Sequence, residues 1–313
     1  MELSPEQIKG IVVGAVDCLE TEKGLLFTKY TQKQHAAWKK AAPELLANVE
    51  ASTGIRLDFQ TDSENVTFHV AGGKKYELLV DDFLTGQYRC EGENASFFAK
   101  LGRPGQMKRV TFTMPSHQAP GYIRGVTLDD GAIFSRHCFD RKLLFLGDSI
   151  TQGWNATFDT LSYAYQVSRA LNAESVIHGN GGTFYEPTAM DDMGFEADTV
   201  IVALGTNDFD RFDSPEEIGS RAKAYLQLVK TQFSQAKIYV ITPIWRQDWQ
   251  EVKKCGSFGQ CRETIAAAAQ SLELEVIDGL KLMPHFPEFM ADPLHPNDLG
   301  FSLYAKNLLT YIQ

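Results

Sequence analysis

Four short segments of this sequence carry the residue types that acyl transfer requires. Ser149 would serve as a nucleophile once a neighbouring base takes its hydroxyl proton. His295 is the kind of side chain that accepts and returns a proton near neutral pH, and Asp292, three residues earlier, would hold its Nδ1 proton. The oxyanion would find donors in the Ser149 N–H, a glycine N–H of residues 179–182 and the Asn207 amide. This set of residues indicates a serine hydrolase.

These chemical segments fall in the second half of the chain, around the ends of predicted strands. Short apolar runs without alternation occupy residues 143–146, 176–177, 200–204, 238–241 and 274–277. Helix-like stretches lie between or after them, at residues 163–171, 215–233, 258–272 and 299–312. Uninterrupted apolar strands that alternate with helices indicate a parallel sheet covered on both faces. Ligands bind such sheets beyond the carboxyl ends of the strands, where the chemical segments lie.

The first half of the chain has a different pattern. From about residue 54 to residue 128, apolar residues alternate with polar ones, which is typical of strands with one buried face. The alternation is clearest in residues 55–59, 66–70, 76–78 and 110–114. Several short strands of this kind predict an antiparallel β-sandwich or jelly roll, preceded by a helix at residues 34–50. We therefore predict a β-sandwich domain with a leading helix at residues 1–135 and an α/β domain at residues 136–313.

Taken together, the chemical segments resemble the four motif blocks of a known family. They read Gly147-Asp148-Ser149-Ile150, Gly182, Gly205-Thr206-Asn207-Asp208 and Asp292-Pro293-Leu294-His295-Pro296. In this order they are similar to the blocks of the SGNH hydrolases, also called GDSL esterases/lipases. The resemblance implies a flavodoxin-like α/β domain with Ser149 as nucleophile, His295 as general base and Asp292 as its orienting acid. It further implies Ser149, Gly182 and Asn207 as oxyanion donors, and neither a metal nor an organic cofactor.

The second block departs from the pattern of the family. Residues 177–182 read Ile-His-Gly-Asn-Gly-Gly, whereas the family usually has Asn-x-Gly-x-x-Gly. Because the leading asparagine is missing, the register of this block is open. Gly181 and Gly182 are therefore both candidates for the oxyanion donor.

A looser resemblance covers the rest of the chain and suggests a substrate class. Residues 53–62 and 242–246 resemble segments of two-domain bacterial members, in which a jelly-roll domain precedes the SGNH domain. Several such relatives are carbohydrate esterases that remove acetyl groups, and one related branch transfers acyl groups on polyketide substrates. The resemblance implies an esterase that removes acetyl from a carbohydrate hydroxyl. A lipase, a thioesterase or an acyltransferase is the alternative within the superfamily, and a glycan-binding protein with an inactive hydrolase domain is the alternative outside it.

Three side chains near the predicted strand ends are candidates for substrate binding. Trp245 directly follows a strand and Trp154 follows the turn of the serine, and aromatic faces of this kind stack on sugar rings. Arg246 would orient a substrate oxygen, although a surface ion pair explains this residue equally well. The expected partner is a small-molecule or oligosaccharide ester.

Composition argues against several other classes of protein. The 313 residues hold 30 Lys and Arg against 40 Asp and Glu, and a net charge of −10 disfavours binding to nucleic acid phosphates. No stretch approaches the roughly 20 apolar residues that cross a bilayer, and the first residues lack the pattern of a secretory signal. The five scattered cysteines form no CxxC pair, and the histidines lack metal-ligand spacing. We expect a cytoplasmic protein without a nucleic acid or membrane partner. A secreted form whose signal was trimmed stays open as an alternative, and so does a homodimer.

Overall fold

The computed structural model describes residues 1–117 and 119–312. The strands of the first half are β1 (Val12–Val13), β2 (Asp17–Thr21), β3 (Gly24–Thr28), β4 (Arg56–Thr61), β5 (Asn65–Gly72), β6 (Lys75–Val80), β7 (Phe83–Arg89), β8 (Asn94–Lys100), β9 (Lys108–Thr113), β10 (Gly121–Leu128) and β11 (Phe134–Arg136). They pair into two antiparallel sheets. One has the order β1-β4-β9-β6-β7, with β11 beside β4, and the other has the order β2-β3-β10-β5-β8.

The core of the first half lies between these two sheets and is rich in aromatic rings. Phe68 of β5 stacks on Phe112 of β9 across the sheets, with ring centroids 3.9 Å apart. Tyr76 of β6 also stacks on Phe112, at 5.4 Å. Along β5 the buried residues Val66, Phe68 and Val70 alternate with less buried ones, as the period-two pattern predicts. The predicted β-sandwich is confirmed.

The second half is built on a parallel sheet. Its strands are β12 (Arg141–Gly147), β13 (Ala173–Gly179), β14 (Thr199–Ala203), β15 (Lys237–Ile241), β16 (Val252–Lys253), β17 (Gly256–Ser257) and β18 (Glu275–Ile277). The order β13-β12-β14-β15-β18 is parallel throughout, while β16 and β17 form a separate hairpin. An α/β fold after a β-sandwich is thus confirmed, whereas the division at residues 135 and 136 stays a prediction.

Helices cover both faces of the parallel sheet. The helices of the chain are α1 (Pro5–Gly10), α2 (Gln32–Ala41), α3 (Leu46–Glu50), α4 (Ser149–Gln152), α5 (Tyr163–Ala170), α6 (Asp208–Arg211), α7 (Pro215–Gln232), α8 (Phe258–Gln270) and α9 (Asp298–Leu308). Leu143 and Phe145 of β12 pack with α5 and α9, whereas Leu144 and Leu146 pack with α2, α3, α7 and α8. None of the helices within the described residues has the length and apolar character to span a membrane.

Around residues 34–50 the structure differs from the single helix that the sequence predicts. Helix α2 ends before Pro43 and α3 begins after it. Proline has no N–H to donate and disfavours helical backbone at the preceding residue, so Ala42 leaves the helix with a ψ of 73°. Both helices pack against the parallel sheet rather than the sandwich, because Trp38 and Val49 belong to the core on one face of that sheet.

A buried ion cluster connects the sandwich to the parallel sheet. Asp58 of β4 is fully buried and accepts hydrogen bonds from the Arg109 guanidinium at 2.9 and 2.8 Å and from Arg56 Nε at 3.2 Å. Burial acts to raise the pKa of Asp58, but the hydrogen bonds from Arg109 and the charge of Arg56 outweigh it and hold the pKa below its ordinary value. Arg56 also donates to the carbonyl of Ala173 at the start of β13.

We expect Asp58→Ala to destabilise the protein strongly, because it leaves the buried Arg56 and the partly buried Arg109 without their shared carboxylate. Removing one partner of a buried ion pair costs about 3–5 kcal/mol in the free energy of unfolding. Asp82→Asn is the control: this carboxylate meets Arg109 at 3.5 Å from a position that is 45% exposed, and asparagine tolerates the left-handed backbone of this residue, with its φ of 65°. The control should cost at most about 1 kcal/mol. Urea titrations followed by circular dichroism measure both losses, and two small losses of equal size would contradict the cluster's role.

Candidate active site

Ser149 lies at the tight turn between β12 and α4 and is buried. At Gly147 an added Cβ would stand 1.9 Å from the Thr151 hydroxyl, so only glycine allows the turn to close. The neighbouring Asp148 caps α4, because its Oδ1 accepts the N–H of Ile150 at 2.9 Å. Burial raises the pKa of Asp148 to about 7. This carboxyl group therefore holds the turn together.

The structure brings Ser149, His295 and Asp292 into one hydrogen-bonded chain. The Ser149 hydroxyl lies 2.8 Å from His295 Nε2, although the two residues are 146 positions apart. On the other side of the ring, His295 Nδ1 lies 2.8 Å from Asp292 Oδ2. A carboxylate can only accept, so Nδ1 carries the proton of the neutral ring and Nε2 is free to accept from the serine.

The carboxylate of Asp292 is held by several donors besides the imidazole. Its Oδ1 accepts the backbone N–H of Leu294 and of His295, each at 2.8 Å. Partial burial acts to raise the pKa of Asp292, but these hydrogen bonds outweigh it and keep the pKa below its ordinary value. Asn155 adds a donor that sequence reasoning missed: its Nδ2 lies 2.6 Å from Asp292 Oδ2. No local pattern marks this asparagine, since the contact spans 137 positions.

The two glycine candidates for the oxyanion donor differ in their hydrogen bonds. The Gly181 N–H is buried and donates to Gln152 Oε1 at 2.7 Å. The Gly182 N–H has no acceptor among the described residues. Gly182 also adopts a φ of +85°, in the left-handed region that favours glycine. The free amide favours Gly182 over Gly181 as the donor.

Asn207 and Ser149 carry the other two predicted donors. Asn207 Nδ2 donates one hydrogen to the carbonyl of Thr183 at 2.8 Å, which orients the amide and leaves its second hydrogen available. Ser149 is the first residue of α4, where a backbone N–H has no acceptor within the helix. Both groups are therefore available to a negatively charged oxygen.

Trp154 lies beside the hydrogen-bonded chain, and its contact with substrate stays a prediction. It is half-buried, and its ring centroid is 6.2 Å from that of His295. The ring centroid of Trp154 is also 5.3 Å from that of His117. His117 comes from the sandwich half, and sequence reasoning missed it. His117 Nδ1 lies 3.6 Å from Asp159 Oδ1. The first half of the chain thus reaches the edge of the site.

Trp245 and Arg246 are buried, and this revises the substrate contacts expected of them. Trp245 is 8% exposed, packs in the core of the sheet and stacks on His285 at 6.1 Å. All three nitrogens of the Arg246 guanidinium bond to the protein, two of them to Asp248 and one to the carbonyl of Thr206 at 3.0 Å. Arg246 therefore stabilises the turn that carries the predicted amide donor and, at 5% exposed, presents little surface to a substrate.

Solved structures of other proteins share this fold over nearly the whole chain. A salicylyl-acyltransferase from a tetracycline biosynthetic pathway superposes with a TM-score of 0.86 at 17% identity, over 100% of this chain and 96% of the other. A family two carbohydrate esterase from Clostridium thermocellum, in complex with cellohexaose, gives 0.69 at 17% identity, over 84% and 92%. An acetyl xylan esterase from the rumen bacterium Butyrivibrio proteoclasticus gives 0.70 at 15% identity, over 100% and 98%. At these identities the likeness establishes the fold alone.

Sequence comparison identifies the family. No curated protein matches the sequence significantly. The model of the GDSL-like lipase/acylhydrolase family matches residues 145–303, which are just over half of the chain. These residues include the serine, the histidine, the aspartate and the amide donor of the site. This match and the fold that surrounds it agree with a hydrolase. The chain belongs to the GDSL-like lipase/acylhydrolase family.

Proposed function

We propose that this protein is a serine esterase that removes an acetyl group from a hydroxyl of a carbohydrate. The observation that carries the proposal is the hydrogen-bonded chain from Ser149 through His295 to Asp292. Among the described residues, N–H groups without an acceptor remain at Gly182 and Asn207, which follow the ends of β13 and β14 on either side of the serine strand β12. Membership of the acylhydrolase family agrees with ester hydrolysis.

Two features support a sugar ester as the substrate. The ring of Trp154 beside His295 offers an aromatic face on which a sugar ring can stack. The fold shared with carbohydrate esterases agrees with this substrate class.

The proposed reaction begins with formation of an acyl-serine. Ser149 Oγ attacks the ester carbonyl carbon while His295 Nε2 takes the hydroxyl proton. Asp292 stabilises the imidazolium that results, and the pKa of its carboxyl group, which is below the ordinary value, keeps it ionised. The N–H groups of Ser149, Gly182 and Asn207 bind the oxyanion. The intermediate then collapses, and the imidazolium returns its proton to the departing sugar oxygen.

The second half of the reaction restores the serine. A water molecule takes the place of the sugar, and His295 Nε2 removes one of its protons as the oxygen attacks the acyl carbon. The same N–H donors bind the second oxyanion. Collapse breaks the bond to Ser149 Oγ, which regains its proton from the imidazolium, and acetate leaves. Every step uses groups that the chain itself holds.

Acyl transfer to another alcohol is a second candidate function. The likeness to the salicylyl-acyltransferase, with a TM-score of 0.86 over the full chain, favours it. Acylation of Ser149 would be the same, but a second hydroxyl compound would replace water as the acceptor. Mass spectrometry of the products formed in the presence of a sugar acceptor separates the two candidates, because only transfer yields a new ester.

We expect Ser149→Ala to abolish the release of acetate from acetylated xylan. Mass spectrometry of the xylan before and after incubation with the protein measures this release. Loss of a serine nucleophile typically lowers kcat by roughly 10⁴- to 10⁶-fold. Ser271→Ala is the matched control, because within the described residues this hydroxyl bonds only the carbonyl of Ala268 at the exposed end of α8. A Ser149→Ala protein with wild-type rates would overturn the nucleophile. Glycan binding without ester cleavage by the wild type would favour an inactive, glycan-binding protein.

A series of nitrophenyl esters of increasing acyl length tests the proposed acetyl preference. In a site shaped for acetyl, extra methylenes cost about 1–3 kcal/mol, so kcat/KM should fall roughly tenfold or more from acetate to butyrate. Steady-state rates with acetate, butyrate and octanoate esters measure the trend. Equal or rising values with chain length would contradict an acetyl preference and favour a lipase or thioesterase.

Asn155→Gly should weaken catalysis through Asp292. The substitution removes the amide on Asp292 Oδ2 without straining the backbone, since Asn155 has a φ of 70°. One hydrogen bond is worth about 1 kcal/mol, so kcat should fall roughly fivefold while KM stays constant. Asn172→Gly is the control, because Asn172 is also left-handed, at a φ of 45°, but lies in the turn before β13, at the opposite end of that strand from the site. Equal rates for both variants would exclude this role of Asn155.

A further inference from the structure

We propose that an N-terminal segment, residues 29–48, positions the loop of the oxyanion glycine, residues 179–182. We call these the clamp segment and the oxyanion loop. The clamp segment precedes the sandwich strands β4 to β11 and lies outside the family match, which begins at residue 145. This inference rests on the proposed esterase function and adds positioning residues to it, chiefly Lys29 and Asn48.

Lys29 is a buried lysine whose three N–H groups all have acceptors. Its side chain is 1% exposed, and Nζ donates to the carbonyl of Asn48 at 3.0 Å, to Thr53 Oγ1 at 2.9 Å and to the carbonyl of Gly179 at 3.3 Å. The backbone carbonyl of Lys29 accepts the N–H of His178 Nε2 in return. Since an ammonium group without partners is costly to bury, these acceptors define where the start of the oxyanion loop lies.

The clamp segment contacts the remaining residues of the oxyanion loop as well. The Asn180 amide donates to the Tyr30 hydroxyl, and the Asn48 amide donates to the carbonyl of Gly181 at 3.3 Å. Gly182 lies so close to Leu45 that an added Cβ would stand 2.5 Å from its Cδ2. Each residue of the loop is therefore held by a different group of the same segment.

Such a clamp has a physical purpose in a loop that is rich in glycine. Glycine has the largest conformational freedom, and a chain without side chains cannot pack itself into one conformation. An oxyanion donor lowers the barrier only when its N–H is already aimed at the position where the charge develops. Gly182 has a free N–H but no side chain, so contacts from outside the loop must set its direction.

The test compares Asn48→Ala and Lys29→Met with the control Glu50→Ala, each in the full chain. Glu50 lies on α3 near Asn48, but its carboxylate is half exposed and, in the part of the chain that the structure describes, pairs only with His35. Misplacing a catalytic group by about 1 Å costs up to about 100-fold in rate, so we expect kcat on nitrophenyl acetate to fall by about 10- to 100-fold in both variants. KM should change less than about twofold, because the ground-state ester does not use the oxyanion donors.

Two further readouts separate positioning from a general loss of structure. Affinity for an alkylboronic acid, which forms a tetrahedral adduct with the serine, should fall by the same factor as kcat. The acidic limb of the pH–rate profile should keep its position, because the clamp segment makes no hydrogen bond or ion pair with His295 or Asp292. Lys29→Met removes three buried hydrogen bonds, so Asn48→Ala, at a half-buried position, decides the matter if the Lys29→Met chain does not fold.

The outcomes distinguish this inference from the proposed function. Unchanged kcat and boronate affinity in Asn48→Ala, with Ser149→Ala inactive, would overturn the clamp and leave the esterase standing. Activity in Ser149→Ala, or none in the wild type, would overturn the esterase and the clamp with it. An equal loss in Glu50→Ala would show that any change in α3 has this effect, and would also overturn the clamp.

Discussion

The imidazole of His295 bridges the Ser149 hydroxyl and the Asp292 carboxylate with a contact of 2.8 Å on each side. Hydrogen bonds of this kind weaken steeply when the distance or the angle changes, so the groups work together only in a rigid frame. The parallel sheet supplies that frame. Its strand β12 ends at the serine turn, and the turn before α9 carries the histidine to the same edge. The packing on both faces of the sheet and the caps of its helices hold these three side chains at hydrogen-bonding distance.

Around that line, buried polar groups join the two halves of the chain. Lys29, Arg56 and Gln152 each cross from one half to the other, and each ends on a backbone carbonyl of the far side. A buried donor that loses its acceptor costs more than a surface contact gains, so these bonds tolerate few relative positions of the two halves. The sandwich half therefore helps to fix the positions of the residues at the site. The ring of His117 behind Trp154 gives this side of the molecule a direct place at the edge of the site.

Glycine has a double role in this arrangement. At Gly147 the absence of a side chain lets the serine turn close on Thr151, and at Gly182 it admits both a left-handed backbone and the close approach of Leu45. The same absence removes any means by which these turns could hold themselves in place. Capping by Asp148 and the contacts of the clamp segment supply what the glycines lack. Close approach and rigid support thus come from different residues.

Much of the chemistry could be read from the sequence, because residue types and local periodicity are properties of short stretches. Ser149 and Asn207 follow strands that apolar runs predict, Asp292 and His295 are marked by their spacing of three residues, and the alternating half folds as a sandwich. Pro43 explains why the leading helix breaks, yet its packing on the parallel sheet had no local signal. Only the tertiary structure decided which glycine N–H is already bonded within the protein and that Arg246 is paired with Asp248. It alone also decided that Asn155 and Lys29 support the site. These outcomes rest on single hydrogen bonds, most of them between residues far apart in the chain, and no periodicity within a short stretch records such a bond.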